Sequence, residues 1–278
     1  HLDYHKTFDE YIIAKKKFFD DLSSQAIAIV NKDDKHGSTM LHHSKAKKRT
    51  FALRSSADFK CKVIENQFSG LHLNINGQEV YTKLIGSFNA ANLLLSYAAA
   101  IELGEDSLQV LTVLSALNAI EGRFQQYKSD SGITSIVDYA HTPDALQNAL
   151  KTIADIRSGN EKVVCILGCG GDRDTGKRPL MAQVACKWAD QIILTSDNPR
   201  GEDPKAIIED MKKGLNASQK KKVLTLEDRQ EAIKLGVTLC VEGDILLVAG
   251  KGHEKYQEIK GERFPFDDMA ILKEHLKD

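Results

Sequence analysis

From about Arg123 onward the chain alternates between short, largely apolar runs and longer amphipathic ones. The runs at Ile133 to Asp138, Val163 to Leu167, Ile192 to Thr195, Val223 to Leu226 and Ile245 to Val248 predict strands. The segments between them predict helices at Pro143 to Ile156, Pro179 to Ala189, Pro204 to Leu215 and Arg229 to Cys240. Thr142 is placed to cap the first of these, with proline at its first position. Strands that are apolar throughout bury both faces, so this rhythm demands an α/β fold: a mostly parallel sheet with helices on either side. Ligands of such sheets bind beyond the carboxyl ends of the strands, which directs attention to the residues that follow each strand.

The region up to Gly122 is more mixed. A helix is predicted from Phe8 to Leu22, opened by Thr7 with Glu10 at capping-box spacing. A short buried strand follows at Ala26 to Val30, and Leu71 to Ile75 and Val80 to Leu84 flank the hairpin signal Asn76-Gly77. Two further helices are predicted, Asn89 to Leu103, stopped by Gly104, and Ser107 to Leu117. A length of 278 residues has room for about two domains, and the change of rhythm divides the chain into 1–122 and 123–278.

Composition excludes several classes. Lys and Arg total 38 against 39 Asp and Glu, a net charge of -1, which argues against a nucleic-acid binder or a polybasic membrane-surface protein. Hydrophobic residues at 42% and charged residues at 28% rule out wholesale disorder. The longest apolar stretch, Leu93 to Ile101, falls short of the ~18 residues of a membrane span, so no membrane insertion is expected. Cys61, Cys165, Cys169, Cys186 and Cys240 are scattered without CxxC spacing, the usage of a reducing cytoplasm. The chain opens on His1 without a signal-peptide pattern, and a trimmed cytoplasmic protein is expected.

The strand ends carry unusual sequences. They are Asp138-Tyr139-Ala140-His141-Thr142-Pro143, Gly168-Cys169-Gly170-Gly171-Asp172-Arg173-Asp174, Ser196-Asp197-Asn198-Pro199-Arg200 and Ala249-Gly250-Lys251-Gly252-His253-Glu254. Any one is ordinary turn composition; four on one rim read as a site. Gly171 to Lys177 nearly spells a Walker A loop, but Arg178 stands where a hydroxyl would hold Mg²⁺ and Pro179 removes an N–H, so it is rejected as a nucleotide loop. Arg173, Lys177 and Arg178 at a helix start suit a carboxylate or phosphate, or else form a solvated basic loop.

Lys15 falls within the apolar stripe Phe8, Tyr11/Ile12, Phe18/Phe19, Leu22. Two readings stay open: a lysine that lays its stem on apolar surface with its end in water, and a buried lysine whose neutral amine can react. Asn89 and Asn92 share a helix face and can hydrogen-bond a base or ribose, or simply open a helix. Arg123, where the two regions join, is placed to clamp a ligand. The nine histidines show no HxH or HExxH spacing; His1 and His5 can ligate a metal, though either alone is more often a surface residue.

Taken together, these segments resemble the Mur ligase family, and within it the tripeptide-forming ligases. The resemblance is carried by His1 to His5 (HLDYH), Lys15, Gly86 to Asn92, Gly122-Arg123, Asp138 to Ala145 (DYAHTPDA), Gly168 to Met181 (GCGGDRDTGKRPLM), Asp197 to Arg200 (DNPR) and Ala249 to Glu254 (AGKGHE). It implies that 1–122 is the later part of a central ATP-binding domain and that 123–278 is a Rossmann-like C-terminal domain that binds the amino acid. The implied reaction joins meso-diaminopimelate to the peptide carboxylate of UDP-N-acetylmuramoyl-L-alanyl-D-glutamate, with ATP and Mg²⁺, through an acyl phosphate and a tetrahedral intermediate. That places the protein in cytoplasmic peptidoglycan precursor synthesis, and a monomer is expected.

The same resemblance implies residue roles. Lys15 matches a lysine that is carbamylated and helps place Mg²⁺, and His1 matches a ligand of a second Mg²⁺. Asn89, Asn92, Arg123 and Asp138 match positions that hold adenine, phosphates and ribose, with His141 close by as a catalytic candidate. Arg173, Asp197, Asn198, Pro199, Arg200, Gly250 and Glu254 match the amino-acid pocket. Diaminopimelate carries a distal carboxylate that lysine lacks; Arg200 and Arg173 can grip it through forked hydrogen bonds, while Glu254 and the Gly250 carbonyl accept from the ammonium. With lysine as substrate the arginine would be left an unpaired cation. No GxxxxGK[ST] occurs in these residues, so the chain is expected to be inactive alone. Lys15→Ala is expected to lose most activity once the upstream half is restored, with partial rescue by added bicarbonate or formate-like small acids. A folylpolyglutamate-synthase-like ligase and a non-catalytic Rossmann-like amino-acid or nucleotide-binding module are the competing readings.

Overall fold

Thr7 opens helix α1 (Phe8–Asp20) as anticipated, its side chain accepting from the Glu10 N–H. The computed structural model describes residues 7–276, and these fall into two units, the first ending at Asn118 and the second beginning at Ala119. Next in the first unit come β1 (Ile27–Asn31), α2 (Gly37–Leu41), β2 (Lys47–Ala52), β3 (Phe59–Gln67), β4 (Gly70–Ile75) and β5 (Gln78–Thr82). The helices α3 (Ser87–Glu102) and α4 (Ser107–Ala116) complete it.

Its five strands lie in the order β1-β2-β3-β4-β5. The first two pairings are parallel and the last two antiparallel. At the β4–β5 turn Asn76 and Gly77 take φ of 48° and 91°, the left-handed pair that a two-residue hairpin of matching twist requires. Phe51, Phe59, Leu71, Leu73 and Ile75 pack against Leu93, Leu94 and Tyr97 of α3.

The sequence reading assigns no strand to β2 or β3. β2 begins Lys47-Lys48-Arg49, a charged run placed by parallel pairing with β1, and Lys47 and Arg49 both pair with Glu102 at the end of α3. β3 did carry a signal, since Phe59 and Cys61 turn inward and Lys60 and Lys62 outward at period two.

In the second unit the chain runs β6 (Gln125–Lys128), β7 (Thr134–Asp138), α5 (Pro143–Ile156), β8 (Val163–Leu167), α6 (Lys177–Trp188) and β9 (Gln191–Leu194). It continues through α7 (Pro204–Lys212), α8 (Ala217–Lys220), β10 (Val223–Thr225), α9 (Arg229–Leu239) and β11 (Ile245–Ala249). A hairpin of β12 (Tyr256–Ile259) and β13 (Glu262–Pro265) precedes α10 (Asp268–His275).

The six-stranded sheet has the order β10-β9-β8-β11-β7-β6. Every pairing is parallel except that of β6 with β7. Strands β8 and β11 are buried along their whole length. Val164 and Ile166 turn to the face that Ile233 of α9 and Leu272 of α10 cover, so the alternate residues Cys165 and Leu167 turn to the other. The five strands and four helices read from the rhythm are all present. Helix α6 starts at Lys177, ahead of the expected Pro179, because a proline in the first turn forfeits no intrahelical bond.

Candidate functional site

The carboxyl ends of β9, β8, β11 and β7 stand side by side, and the four unusual sequences therefore share one rim. Backbone bonds join them in pairs. Gly250 N–H donates to the Asp138 carbonyl at 3.0 Å, and Gly171 N–H to the Asn198 carbonyl at 2.9 Å. Glycine is required at 171 for clearance: a Cβ there would lie 1.9 Å from the Pro199 carbonyl oxygen.

Asp197, Asn198 and Pro199 are buried and Arg200 is half-buried. Asn198 is the hub. Its Oδ1 accepts from Lys251 Nζ at 2.8 Å and from the Glu258 N–H at 2.9 Å, while its Nδ2 donates to Glu254 Oε2 at 2.8 Å. Gln257 Nε2 donates to the Asp197 carbonyl at 2.7 Å.

Arg200 takes a φ of 50° and bridges to β12, donating its N–H to Glu258 O at 3.0 Å and accepting from Lys260 N at 2.7 Å. Its Nη1 donates to the Gly171 carbonyl at 2.9 Å, and Nε lies 3.7 Å from Glu258 Oε2. Nη2 makes no hydrogen bond among the described residues, which leaves the outer edge of the guanidinium free.

Beneath the rim lies a fully buried ion pair that the sequence reading missed. Arg229 Nε and Nη2 each reach Asp268 at 2.8 Å. Nη2 also donates to the Ala249 carbonyl at 3.1 Å, and Nη1 lies 3.5 Å from that of Ser196. One guanidinium thus ties the ends of β9 and β11 to the start of α10. Lys251, also fully buried, escaped notice because lysine among glycines reads as a loop charge. Its ammonium lies within 6.0 Å of the ring centres of Tyr256 and Phe266, and burial lowers its pKa.

The cations after β8 separate. Arg173 is exposed. Lys177 donates to the His141 carbonyl at 2.9 Å, joining two loops of the rim. Arg178 is not a ligand-facing cation, contrary to expectation: it is 1% exposed and engaged by Glu202 at 2.7 Å and Asp210 at 2.9 Å. Its side chain leaves α6 on the inner side, where two carboxylates offset the cost of burying it. Glu202 in turn accepts from the Asp172 N–H, so the pair fastens the loop that carries Arg173.

At the β7 end, burial pushes the Asp138 carboxyl up, against hydrogen bonds from the Phe124 and Ala140 N–H groups and the nearby charge of Arg123. Arg123 is exposed and lies over the Tyr139 ring, 4.8 Å from its centre. His141 is exposed with Nδ1 2.9 Å from the Tyr139 carbonyl, and the Tyr139 ring also contacts His141 and His253.

In the first unit Asn92 Nδ2 donates to Asn89 Oδ1 at 3.3 Å and Asn89 Nδ2 to the Ile85 carbonyl at 2.8 Å. The two amides form one polar patch at the start of α3. Lys15 corrects the buried-lysine reading. It is exposed, its ammonium 5.5 Å from the Tyr11 ring centre. No residue of α1 is buried, and only Phe19 and the following Leu22 pack on the Ala28, Val30 and Leu41 cluster. A helical stripe names a face but not what covers it. His1 and His5 lie outside the described residues. Among the described residues no group of three or more His, Cys, Asp or Glu side chains is disposed to hold a metal ion.

An open, mainly parallel sheet with convergent ionic loops on its carboxyl rim defines a Rossmann-like α/β domain. Comparison with known proteins narrows the class. Residues 1–100 match the Mur ligase middle domain and residues 122–252 the Mur ligase glutamate ligase domain. The chain belongs to the Mur ligase family.

It is 54% identical over 276 residues to the UDP-N-acetylmuramoyl-L-alanyl-D-glutamate–2,6-diaminopimelate ligase of Cytophaga hutchinsonii, covering 99% of this chain and 57% of that one. A solved structure of a ligase with that name is 39% identical, with a TM-score of 0.63 over 99% of this chain and 57% of its own. A MurF ligase of Thermotoga maritima, solved in complex with ADP, shares the fold at 16% identity, with a TM-score of 0.72 over 99% of this chain and 60% of its own. The chain thus spans a little over half the length of the relatives it matches.

Proposed function

We propose that the full-length protein carrying this chain is an ATP-dependent ligase. In this reading it joins meso-diaminopimelate to UDP-N-acetylmuramoyl-L-alanyl-D-glutamate in the cytoplasm. The observation that carries the amino-acid choice is Arg200. Its backbone is pinned to β12, its Nη1 is committed to Gly171, and its Nη2 makes no hydrogen bond among the described residues. A guanidinium held this way suits the distal carboxylate of diaminopimelate, with exposed Arg173 as a second cation. Glu254 and the Gly250 carbonyl accept from the ammonium beside it. Asp197, Asn198 and Pro199 shape the floor of that pocket.

ATP passes its γ-phosphoryl group to the peptide carboxylate with release of ADP. The amine of the amino acid attacks the carbonyl carbon of the resulting acyl phosphate, forming the amide as inorganic phosphate and a proton leave. In the same reading Asn89 and Asn92 present amide edges to the base or ribose. Arg123, Asp138 and His141 are further candidates for nucleotide contacts. No step is assigned to Mg²⁺, and Lys15 stays a candidate for carbamylation on an exposed helix face.

Arg200→Ala tests the reading. Losing one side of a partly dry charge pair costs about 2–5 kcal/mol, or roughly 30- to 4,000-fold at ~1.4 kcal/mol per decade. The KM for meso-diaminopimelate should rise within that range in steady-state assays of the full-length protein, with those for ATP and the UDP-dipeptide nearly unchanged. Addition of L-lysine by the unsubstituted protein as fast as diaminopimelate would refute the assignment.

A further inference from the structure

Lys251 holds its ammonium fully buried in the rim, and the proposed function gives it no role. Its polar neighbours within reach are the Asn198 amide oxygen at 2.8 Å and Glu254 Oε2 at 3.4 Å. Asp197, Arg229 and Asp268 supply the remaining charges that act on it. An ammonium has three donors and no acceptor, so whatever faces it must accept. Asn198 therefore turns its oxygen to Lys251 and its NH₂ to Glu254, and the same oxygen also takes the Glu258 N–H. Reversing that amide would set an NH₂ against an ammonium and a backbone N–H, and an oxygen against a carboxylate.

With Oε2 of Glu254 claimed by Asn198 Nδ2 and drawn to Lys251, the other oxygen, Oε1, has no hydrogen-bond partner among the described residues. We infer that Lys251 is a positioning residue for amino-acid specificity: it locks the polarity of Asn198, which holds Glu254 by one oxygen and presents the other to the ammonium of the incoming amino acid. This rests on the diaminopimelate reading above and adds to it a residue that touches no substrate. Removal of Lys251 should therefore act through Glu254 and be felt by one substrate of three.

The test is steady-state kinetics of Lys251→Met, Glu254→Gln and the double variant in the full-length protein. Lys251→Met should raise the KM for meso-diaminopimelate about tenfold or more, with kcat and the KM values for ATP and the UDP-dipeptide within about twofold. In the Glu254→Gln background the same substitution should add less than about threefold, because residues acting in series do not add.

A full Lys251→Met effect that persists without Glu254, or an equal rise in all three KM values, overturns the assignment. Should Lys251→Met not fold, Lys251→Gln replaces it. That side chain keeps a donor but is one bond shorter and uncharged, so a selective KM rise of about threefold or more is expected, and an unchanged KM overturns the inference. The unsubstituted protein separates the two claims. Failure to use meso-diaminopimelate there defeats the substrate reading, whereas normal use with indifferent Lys251 variants defeats this inference alone.

Discussion

Arg229 and Asp268 are 39 positions apart in sequence and meet with both side chains fully buried. Such a pair is weak evidence of net stability, because desolvation offsets most of the attraction, yet removing one partner strands the other charge. Asp268→Ala should therefore cost about 3–5 kcal/mol in chemical denaturation of the second unit. A paired Arg229→Met/Asp268→Leu replacement should recover only part of that loss, since the Ala249 carbonyl would lose its charged donor. A cost below about 1 kcal/mol for Asp268→Ala would mean that the guanidinium finds water or another carboxylate. The same logic explains why Arg178, read from the sequence as a ligand cation, is a fastening: Glu202 and Asp210 leave it no reason to reach outward.

At the scale of elements, the loops are as constrained as the strands they follow. Asp33, just beyond β1, accepts from the N–H groups of Leu53, Arg54 and Ser55, so one carboxylate holds the chain as it leaves β2. Burial pushes its pKa upward, but the hydrogen bonds from Ser55, Arg54 and Leu53 outweigh it and bring the value from 3.8 down to about 2. A folded-state pKa below the unfolded one means stability that is fully present above the unfolded value and lost as pH falls through the folded one. Asp33→Ala should accordingly lower the melting temperature at neutral pH, and the gap to the unsubstituted chain should close between pH 3.8 and about 2. A gap that stays constant across that window would show that Asp33 acts by shape alone.

At the scale of the whole molecule, each unit has its own core, one around Phe51, Leu73 and Leu94 and the other around Val164, Ile233 and Leu246. The proposed amino-acid pocket lies wholly in the second. Residues 119–278 should therefore fold when expressed separately and bind meso-diaminopimelate weakly in calorimetric titration, with binding lost in Arg200→Ala. A folded second unit that shows no heat with diaminopimelate, under conditions where the full-length protein does, would place part of the pocket elsewhere. By itself the sequence determined the strands and helices after Arg123 and the rim on which the ionic loops would gather. Apolar runs that must bury both faces have essentially one architecture open to them, and that information lies in neighbouring residues. It missed β2, whose opening Lys47-Lys48-Arg49 is held as strand by parallel pairing with β1, with Glu102 receiving Lys47 and Arg49. It also left open the face of α1, where Lys15 lies in water. Tertiary structure alone decided that β11 inserts between β8 and β7. That insertion brings the loop carrying Lys251 and Glu254 against Asn198, and Ala249 over Arg229. Periodicity records which residues avoid water, but a buried charge is placed by a partner far along the chain, and that partner is known only once the strands have taken their order.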